Sequence, residues 1–397
     1  GADFFSVYDA GNKIAAGRSP YSRVIDPGLA PYTFRYLPVV AQTLGRSAAL
    51  LPPRVAYVAW VMVLEGLLVL ALVLFSRLLR PGWPRSACLF LLLLSSPFFL
   101  EVYMGQFAFA ATVAGVSGVL LATTEGRGAW GTWVRRILAA GAWGLSVLLK
   151  GFPLAVFPVL TRSRRLLLVG GVGVVGVLLV TMPHFLRSPE DWYVFKYTNF
   201  SGRLTAMETG NVGPVCAIVT IVKAWWPDVS ARFLLNGVKW LRWSVLILSA
   251  VVVLAAARTR VCSGMALLLL AHFVTYTHVW EHHMSAVLVL GCLLVSDLSS
   301  AKETEKEKSQ RVALWITLGA MVFLALPTPF AILDTAKDPR LNDPFLNSTL
   351  GVKLLAMGTK TVPLIALYGV ALWSVLREGL GPWWREEWLC RQTTDRP

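Results

Sequence analysis

The stretch around residue 280 concentrates side chains that could do acid–base or metal chemistry. His278, His282 and His283 are three of the five histidines of the chain, and Glu281 lies between them. On a helix His278 and His282 would share one face, because residues four apart are neighbours there. A zinc site would need a further ligand, and the spacing is not that of an HExxH motif. The sequence therefore predicts no metal site and favours an active-site role over a hydrogen-bonded polar cap.

The first 54 residues interleave aromatic side chains with charged ones, among them Asp3, Asp9, Arg18 and Arg35. One interpretation is an amphipathic loop at the membrane interface whose carboxylates are simply solvated, which composition alone favours. The other is that a carboxylate at the edge of the bilayer acts as a general base. The residues by themselves leave both interpretations open.

Polar residues stand out at three further places in the chain. Lys150 is followed by glycine, phenylalanine and proline, so it is either a lysine that snorkels from a helix end or an ammonium group that meets a phosphate. Gln106 follows Gly105 after a Ser-Ser-Pro break, and Asn211 lies near the end of the polar stretch 199–213. Taken alone, Gln106 and Asn211 are weak signals of function.

The composition indicates the environment in which these side chains lie. The 397 residues include 37 basic and 22 acidic ones, a net charge of +15, yet charged residues are only 15% of the chain, against about 25% in soluble domains. Hydrophobic residues reach 56% and the mean hydropathy is +0.61. These values exclude a soluble enzyme and a disordered chain, and five scattered cysteines exclude a disulfide or zinc framework. The basic residues lie in short loops between apolar runs, which is typical of a membrane protein and not of a nucleic-acid-binding one.

Apolar segments recur along nearly the whole chain and predict an all-α polytopic membrane protein of about 11 membrane segments, with outward loops that carry short helices. The segments are 55–79, 86–100, 104–122, 137–149, 152–160, 166–185, 239–257, 261–278, 284–298, 311–333 and 352–376. The predicted divisions are a first outward loop at 1–54, a transmembrane core at 55–300 with an outward loop at 186–238, a cytoplasmic linker at 301–310, and C-terminal spans with a cytoplasmic tail at 311–397.

The distribution of lysine and arginine predicts the orientation. If 152–160 returns inward and 211–226 does not cross, all basic clusters lie on the cytoplasmic side. The first loop, the region 186–238 and the loop 334–351 then face outward. The segments that carry Asp3, Lys150 and His282 then end on one face of the membrane. Because the chain starts at Gly1 inside a polar stretch, we expect one further span to precede it.

An ordered series of short elements resembles glycosyltransferase family 87, which contains membrane mannosyltransferases of the GT-C type. The elements are Asp3-Phe4, Tyr8, Ala10-Gly11, Gly17-Arg18-Ser19-Pro20-Tyr21, Tyr36-Leu37-Pro38, Gly105-Gln106, Lys150-Gly151-Phe152-Pro153, Asn211 and Trp280-Glu281-His282-His283. The resemblance implies a GT-C-like bundle in a bacterial plasma membrane. It also implies transfer of a sugar, mannose being expected, from a polyprenyl-phosphate donor to a lipid or glycan acceptor outside the cytoplasm, with inversion.

The resemblance also implies roles for particular residues. Asp3 matches the catalytic aspartate of the first outward loop and would remove the proton of the acceptor hydroxyl. Lys150 and Arg35 would neutralise the leaving phosphate, and either His282 or His283 would join the same pocket. The remaining substrate-binding candidates are Tyr36, Gln106, Asn211 and Glu281. No cofactor is expected, and the need for a divalent cation stays open.

Two other functions fit parts of the sequence. A transporter or flippase for an anionic lipid-linked substrate could use Lys150, Glu101 and the histidines to line its path, but such proteins often show internal symmetry and none is visible. A non-catalytic membrane scaffold would not need clustered histidines. In every case membrane lipids are partners and nucleic acid is not.

Overall fold

The computed structural model describes residues 1–124, 128–200, 211–256, 260–299, 308–329, 348–377 and 379. Regular structure in these residues is helical, which confirms the all-α prediction. The helices are α1 (Ala2–Ala15), α2 (Pro38–Val40), α3 (Arg46–Ala48), α4 (Pro53–Leu78), α5 (Trp83–Leu93), α6 (Ser96–Met104), α7 (Ala108–Thr123), α8 (Gly128–Leu149), α9 (Phe157–Leu160), α10 (Arg164–Arg187), α11 (Pro189–Phe200), α12 (Pro214–Trp225), α13 (Ala231–Ala255), α14 (Val261–Thr275), α15 (Met284–Leu298), α16 (Lys308–Ala325) and α17 (Leu350–Leu376). A π-helical turn, Ala41–Gly45, joins α2 to α3, and 3₁₀ turns cover Phe152–Val156 and Glu281–His283.

Six helical stretches of the described residues are long and apolar enough to cross a membrane. They are Pro53–Leu78, Trp83–Met104, Arg164–Arg187, Ala231–Ala255, Glu281–Leu298 and Leu350–Leu376. The helices α7, α12 and α14 are apolar but shorter. The expected count of about 11 membrane segments is therefore not confirmed. The segment 152–160, which the sequence suggests to be one half of a broken or re-entrant pair with 137–149, forms a 3₁₀ turn followed by the four-residue α9.

The chain divides into two compact units, and the first consists of residues 1–71, 99–154 and 164–201. In this unit α7 packs along α8, and α8 packs against α10. Glycines permit these close approaches: a Cβ on Gly118 would lie 2.8 Å from the backbone of α8, and one on Gly173 would lie 2.7 Å from the ring of Trp143. The unit also holds α1, which packs on the π-helical turn.

The second unit consists of residues 72–98, 155–163 and 202–397. Its centre is α15, every residue of which is buried, with α14 beside it and nearly as deeply buried. The helices α5, α13, α16 and α17 pack against this pair. A buried cation caps one of them, since Arg162 donates hydrogen bonds to the carbonyls of Val253, Leu254 and Ala256 at the end of α13.

Some predicted features lie outside the described residues. They are residues 201–210 of the outward loop 186–238, residues 301–307 of the predicted linker, most of the loop 334–351, and the predicted cytoplasmic tail after residue 379.

Candidate active site

Helix α1 places Asp3 in its first turn, and a glycine pair fixes the position of the helix. A Cβ on Gly11 would lie 2.1 Å from the carbonyl of Gly45, and one on Gly45 would lie 2.5 Å from the carbonyl oxygen of Val7. The two backbones therefore touch where α1 crosses the π-helical turn. The neighbouring face of α1 is buried, with Phe4 only 1% exposed. This packing explains why the sequence needs glycine at position 11 and holds Asp3 in one place.

A second glycine brings Gln106 to Asp3. Gly105 has a φ of +66°, in the left-handed region that glycine adopts readily. A Cβ at Gly105 would lie 2.6 Å from the Cβ of Phe4, so the turn between α6 and α7 can approach α1 only because the side chain is missing. The next residue, Gln106, then reaches the carboxylate of Asp3.

One amide connects the carboxylate of Asp3 to the ammonium of Lys150. The Nε2 of Gln106 donates a hydrogen bond to Asp3 Oδ2. The Nζ of Lys150 donates to Gln106 Oε1 at 3.4 Å and lies 5.3 Å from the centroid of the Tyr36 ring. Lys150 occupies this position because α8 ends at Leu149 and the 3₁₀ turn begins at Phe152.

Burial and neighbouring charges have opposite effects on the pKa values of Asp3 and Lys150, which lie outside the six long apolar stretches. Burial raises the pKa of the Asp3 carboxyl, while Lys150 and Arg35 act to lower it. Burial lowers the pKa of the Lys150 ammonium, while Asp3 and Glu101 act to raise it. The structure thus brings five predicted residues into one group in the first unit: Asp3, Arg35, Tyr36, Gln106 and Lys150.

Glu101 belongs to the same group, although the sequence suggested it only for a transporter. Its side chain is completely buried. Glu101 Oε1 accepts a hydrogen bond from the backbone N–H of Phe109 at 2.8 Å, and its carbonyl oxygen accepts one from the N–H of Gln106 at 3.0 Å. Glu101 therefore fixes the turn that presents Gln106. The signal in the sequence was a lone carboxylate in an apolar helix, five residues before Gln106.

The other four candidates lie in the second unit, where Asn211 anchors the segment before the histidines. Its Nδ2 donates to the carbonyl of Thr277, and its Oδ1 accepts from the N–H of Gly213 at 3.0 Å. The N–H of Val212 adds a bond of 2.8 Å to the carbonyl of Val279. The contacts of Asn211 described here are with the protein backbone, and they hold residues 277–279 in place.

Glu281, His282 and His283 form the 3₁₀ turn that leads into α15, and all three are buried. His283 Nδ1 accepts a hydrogen bond from the backbone N–H of Trp280 at 3.1 Å, and the rings of His282 and His283 lie 4.2 Å apart. The expectation that His278 and His282 share a helix face is wrong. Helix α14 ends at Thr275, so His278 lies in a non-helical segment before the turn.

A further buried network lies in the first unit and escaped the sequence analysis. Asp191 is 3% exposed and accepts a hydrogen bond from the hydroxyl of Ser19. His184 Nε2 lies 2.8 Å from Asp191 Oδ2, and its Nδ1 lies 3.2 Å from the side-chain amide of Gln42. The network joins the first loop to the junction of α10 and α11. Both ring nitrogens of His184 are engaged and Ser19 contacts the carboxylate instead of the ring, so this is not a serine–histidine nucleophile pair.

The described residues contain no group of three or more histidine, cysteine, aspartate or glutamate side chains that could hold a metal ion. What the first unit does offer is a carboxylate and an ammonium joined by one amide, an arrangement able to take up a proton and to attract an anion.

Comparison with known proteins identifies the family. Residues 38–280, more than half of the chain, match the profile described as glycosyltransferase family 87. No curated protein and no solved structure matches the chain. The matched region includes Gln106, Lys150 and Asn211 and the long apolar helices α4 and α10. The chain belongs to glycosyltransferase family 87 and is a membrane glycosyltransferase.

Proposed function

We propose that the chain transfers mannose from a polyprenyl-phosphate donor to a hydroxyl of a lipid or glycan acceptor, on the non-cytoplasmic side of a bacterial plasma membrane. The observation that supports this most directly is the chain of contacts from Asp3 through Gln106 to Lys150. In this chain of contacts a single side chain, Gln106, separates the proton acceptor Asp3 from the cation Lys150. A sugar transfer from a phosphate needs both, one for the incoming hydroxyl and one for the leaving group.

The reaction is a single displacement in this proposal. The acceptor oxygen forms a bond to the anomeric carbon as the bond from that carbon to the phosphate oxygen breaks, and the configuration inverts. Asp3 takes the proton of the acceptor hydroxyl, and polyprenyl phosphate leaves with the electron pair of the broken bond. Burial raises the pKa of Asp3, which makes its carboxylate a stronger base than a solvated one.

The charges around Asp3 suit the leaving phosphate. In their ionised forms Asp3 and Glu101 contribute two negative charges to this group, and Arg35 and Lys150 contribute two positive ones. When Asp3 takes up the proton, this group gains one positive charge just as negative charge develops on the phosphate. Lys150 and Arg35 are therefore the proposed phosphate-binding residues, and Tyr36 is proposed to orient Lys150 through the face of its ring.

The second unit supplies the remaining proposed residues. We propose that His282 or His283 takes part in the reaction, with Glu281 and Asn211 as substrate-binding or supporting residues. Support comes from the burial of these four side chains and from the hydrogen bonds of Asn211 to Thr277 and of Trp280 to His283, because a fixed side chain is what catalysis requires.

The test uses the purified chain in lipid nanodiscs with radiolabelled polyprenyl-phosphate mannose and a panel of lipid and glycan hydroxyl acceptors. We expect a labelled product with the configuration opposite to that of the donor, read by NMR, and no product with Asp3→Asn. Repeating the assay with EDTA decides whether a divalent cation is needed. Transfer of the intact donor across a vesicle bilayer, without product, would contradict the proposal and favour a flippase.

A further inference from the structure

Lys360 is a charged residue in the middle of a long apolar helix. It lies in α17, three residues before Pro363, and its side chain is completely buried. Ionisable residues at such positions are rare and usually functional. The proposed reaction does not use Lys360, and it lies beyond residues 38–280, the region that matches the family profile.

The ammonium group of Lys360 binds the end of another helix. Its Nζ donates hydrogen bonds to the carbonyls of Phe323 and Leu324, each at 3.1 Å, and to the carbonyl of Leu326. These carbonyls lie at or just past the end of α16, where backbone oxygens have no partner within the helix. A cation is also favoured at that end of a helix dipole. The three N–H groups of the ammonium thus meet three backbone carbonyls, which explains how a charged side chain is tolerated inside the protein.

Glu281 binds a backbone N–H group of the segment that follows α16. Glu281 Oε1 accepts a hydrogen bond from the backbone N–H of Thr328 at 3.1 Å and one from the Ser96 hydroxyl at 3.3 Å. The turn 326–328 thus has a carbonyl bound by Lys360 and an N–H bound by Glu281. The two opposite charges also interact electrostatically. Together they form a clamp, which we define as Lys360, Glu281 and the turn 326–328.

The clamp is connected to the histidines through the backbone. Glu281 is the first residue of the 3₁₀ turn that contains His282 and His283. If the turn 326–328 moved away, the Glu281 carboxylate would lose its bond from Thr328 and would reorient, and the short turn would reorient with it. The backbone hydrogen bond from Trp280 to the His283 ring depends on the same geometry.

We propose that Lys360 is a positioning residue for sugar transfer, acting through Glu281 to fix the orientation of His282 and His283. This inference rests on the proposed function, in which one of these histidines takes part in the reaction. It assigns a role to the C-terminal part of the chain, outside the region that the family profile covers.

The experiment compares two buried cations that cap helix ends in the second unit. Lys360→Met removes the charge at the clamp, and Arg162→Met removes the matched cap at the end of α13. Each variant is purified in nanodiscs, its melting temperature is measured, and initial rates are recorded with donor and acceptor varied in turn. For Lys360→Met we expect kcat to fall about ten- to a hundredfold with both KM values nearly unchanged, since small displacements of catalytic groups have such effects.

Arg162→Met controls for a general loss of stability, and we expect its kcat, corrected for the folded fraction, to equal that of the wild type. Lys360→Arg keeps the charge and the donors, so it should restore most of the rate. The double variant Lys360→Met with Glu281→Gln should lose no more than the worse single variant, because the two residues act as one unit. Equal kcat values for folded Lys360→Met and Arg162→Met would overturn the inference.

Hydrogen exchange tests the clamp without any substrate. In Lys360→Met the amides of residues 280–285 and 323–328 should exchange faster than in the wild type, whereas Arg162→Met should leave them unchanged. Unchanged exchange in Lys360→Met would overturn the inference even if the wild type transferred no sugar. Failure of the proposed function gives a different result: faster exchange in Lys360→Met, but no transfer by the wild type from any polyprenyl-phosphate sugar.

Discussion

Gln106 donates a hydrogen bond to Asp3, although 103 residues separate them in the chain. The same amide accepts a bond from Lys150. Its nitrogen therefore faces an anion and its oxygen a cation, so the dipole of the side chain matches both neighbours. This arrangement favours the ionised form of Asp3 and the charged form of Lys150 at the same time. It is the geometric basis for assigning the base and the cation of the reaction.

Asp3→Asn should abolish sugar transfer and leave the fold intact. Asparagine keeps the size of the side chain and an oxygen that Gln106 can bind, but it cannot take up a proton. A general base usually contributes about 10²–10⁴-fold to the rate, so we expect transfer by the variant to fall below the detection limit of the assay. Rates and the melting temperature are measured on the same nanodisc preparation. Asp26→Asn is the matched control, since Asp26 is exposed between α1 and α2 and its Oδ1 accepts hydrogen bonds from the backbone N–H groups of Gly28 and Leu29. A comparable loss there would argue against a specific role for Asp3.

The dependence of transfer on pH should report the ionisation of Asp3. Because the base must be deprotonated, kcat/KM should rise with pH through a pKa above the usual aspartate range, as burial raises it. Gln106→Met removes a hydrogen bond that favours the ionised form, so the pKa of Asp3 should rise further. The acidic limb of the profile should therefore move to higher pH in this variant. A limb that stays in place, or moves to lower pH, would contradict the assignment of Asp3 as the titrating base.

Lys150→Met should weaken the use of the donor more than that of the acceptor. The proposed partner of the ammonium is the donor phosphate, and a hydrogen bond to a charged group contributes about 1.5–3 kcal/mol. We therefore expect the donor KM to rise about tenfold or more, with the acceptor KM nearly constant. Lys196→Met serves as the control, since Lys196 is an exposed lysine of α11 in the same unit. A selective change in the acceptor KM would remove Lys150 from the phosphate site.

The long spans were predictable because hydropathy over about 20 residues decides whether a helix can cross a bilayer. The predicted runs 55–79, 166–185 and 352–376 became α4, α10 and α17 with small shifts of their ends. Hydropathy does not decide the surroundings of α14. All but one residue of this 15-residue apolar helix is buried in protein, and such a helix has the same sequence pattern as one surrounded by lipid.

The candidate site was predictable only as a set of residues. Asp3, Gln106 and Lys150 come from three distant segments, and their contact depends on the left-handed turn at Gly105 and on the backbone contact between Gly11 and Gly45. Nothing local in the sequence specifies these approaches. The carboxylate–histidine network at Asp191 was missed for the same reason. Its members are separated by up to 172 residues, and each by itself has the sequence context of an ordinary helix end or loop residue.

Gly105→Ala should reduce both stability and transfer, because two effects add at this position. A non-glycine residue at a φ of +66° is strained by about 1–3 kcal/mol, and the new Cβ would lie 2.6 Å from the Cβ of Phe4, well inside contact distance. Relief of the clash moves the turn away from α1 and separates Gln106 from Asp3. We expect a lower melting temperature and a kcat that falls further than the loss of folded protein explains.

Substitutions at two other glycines distinguish the effect of backbone strain from that of the clash with Phe4. Gly17 has nearly the same φ, +67°, but a Cβ on it would have no atom within 4 Å, so Gly17→Ala carries the backbone strain without the clash. Gly141 lies inside α8 with open space around it, so Gly141→Ala carries neither. If close approach to Phe4 positions Gln106, kcat per folded molecule should fall for Gly105→Ala alone. An equal fall for Gly17→Ala would show that backbone strain in the first unit, and not the contact between α1 and the Gly105 turn, controls the reaction.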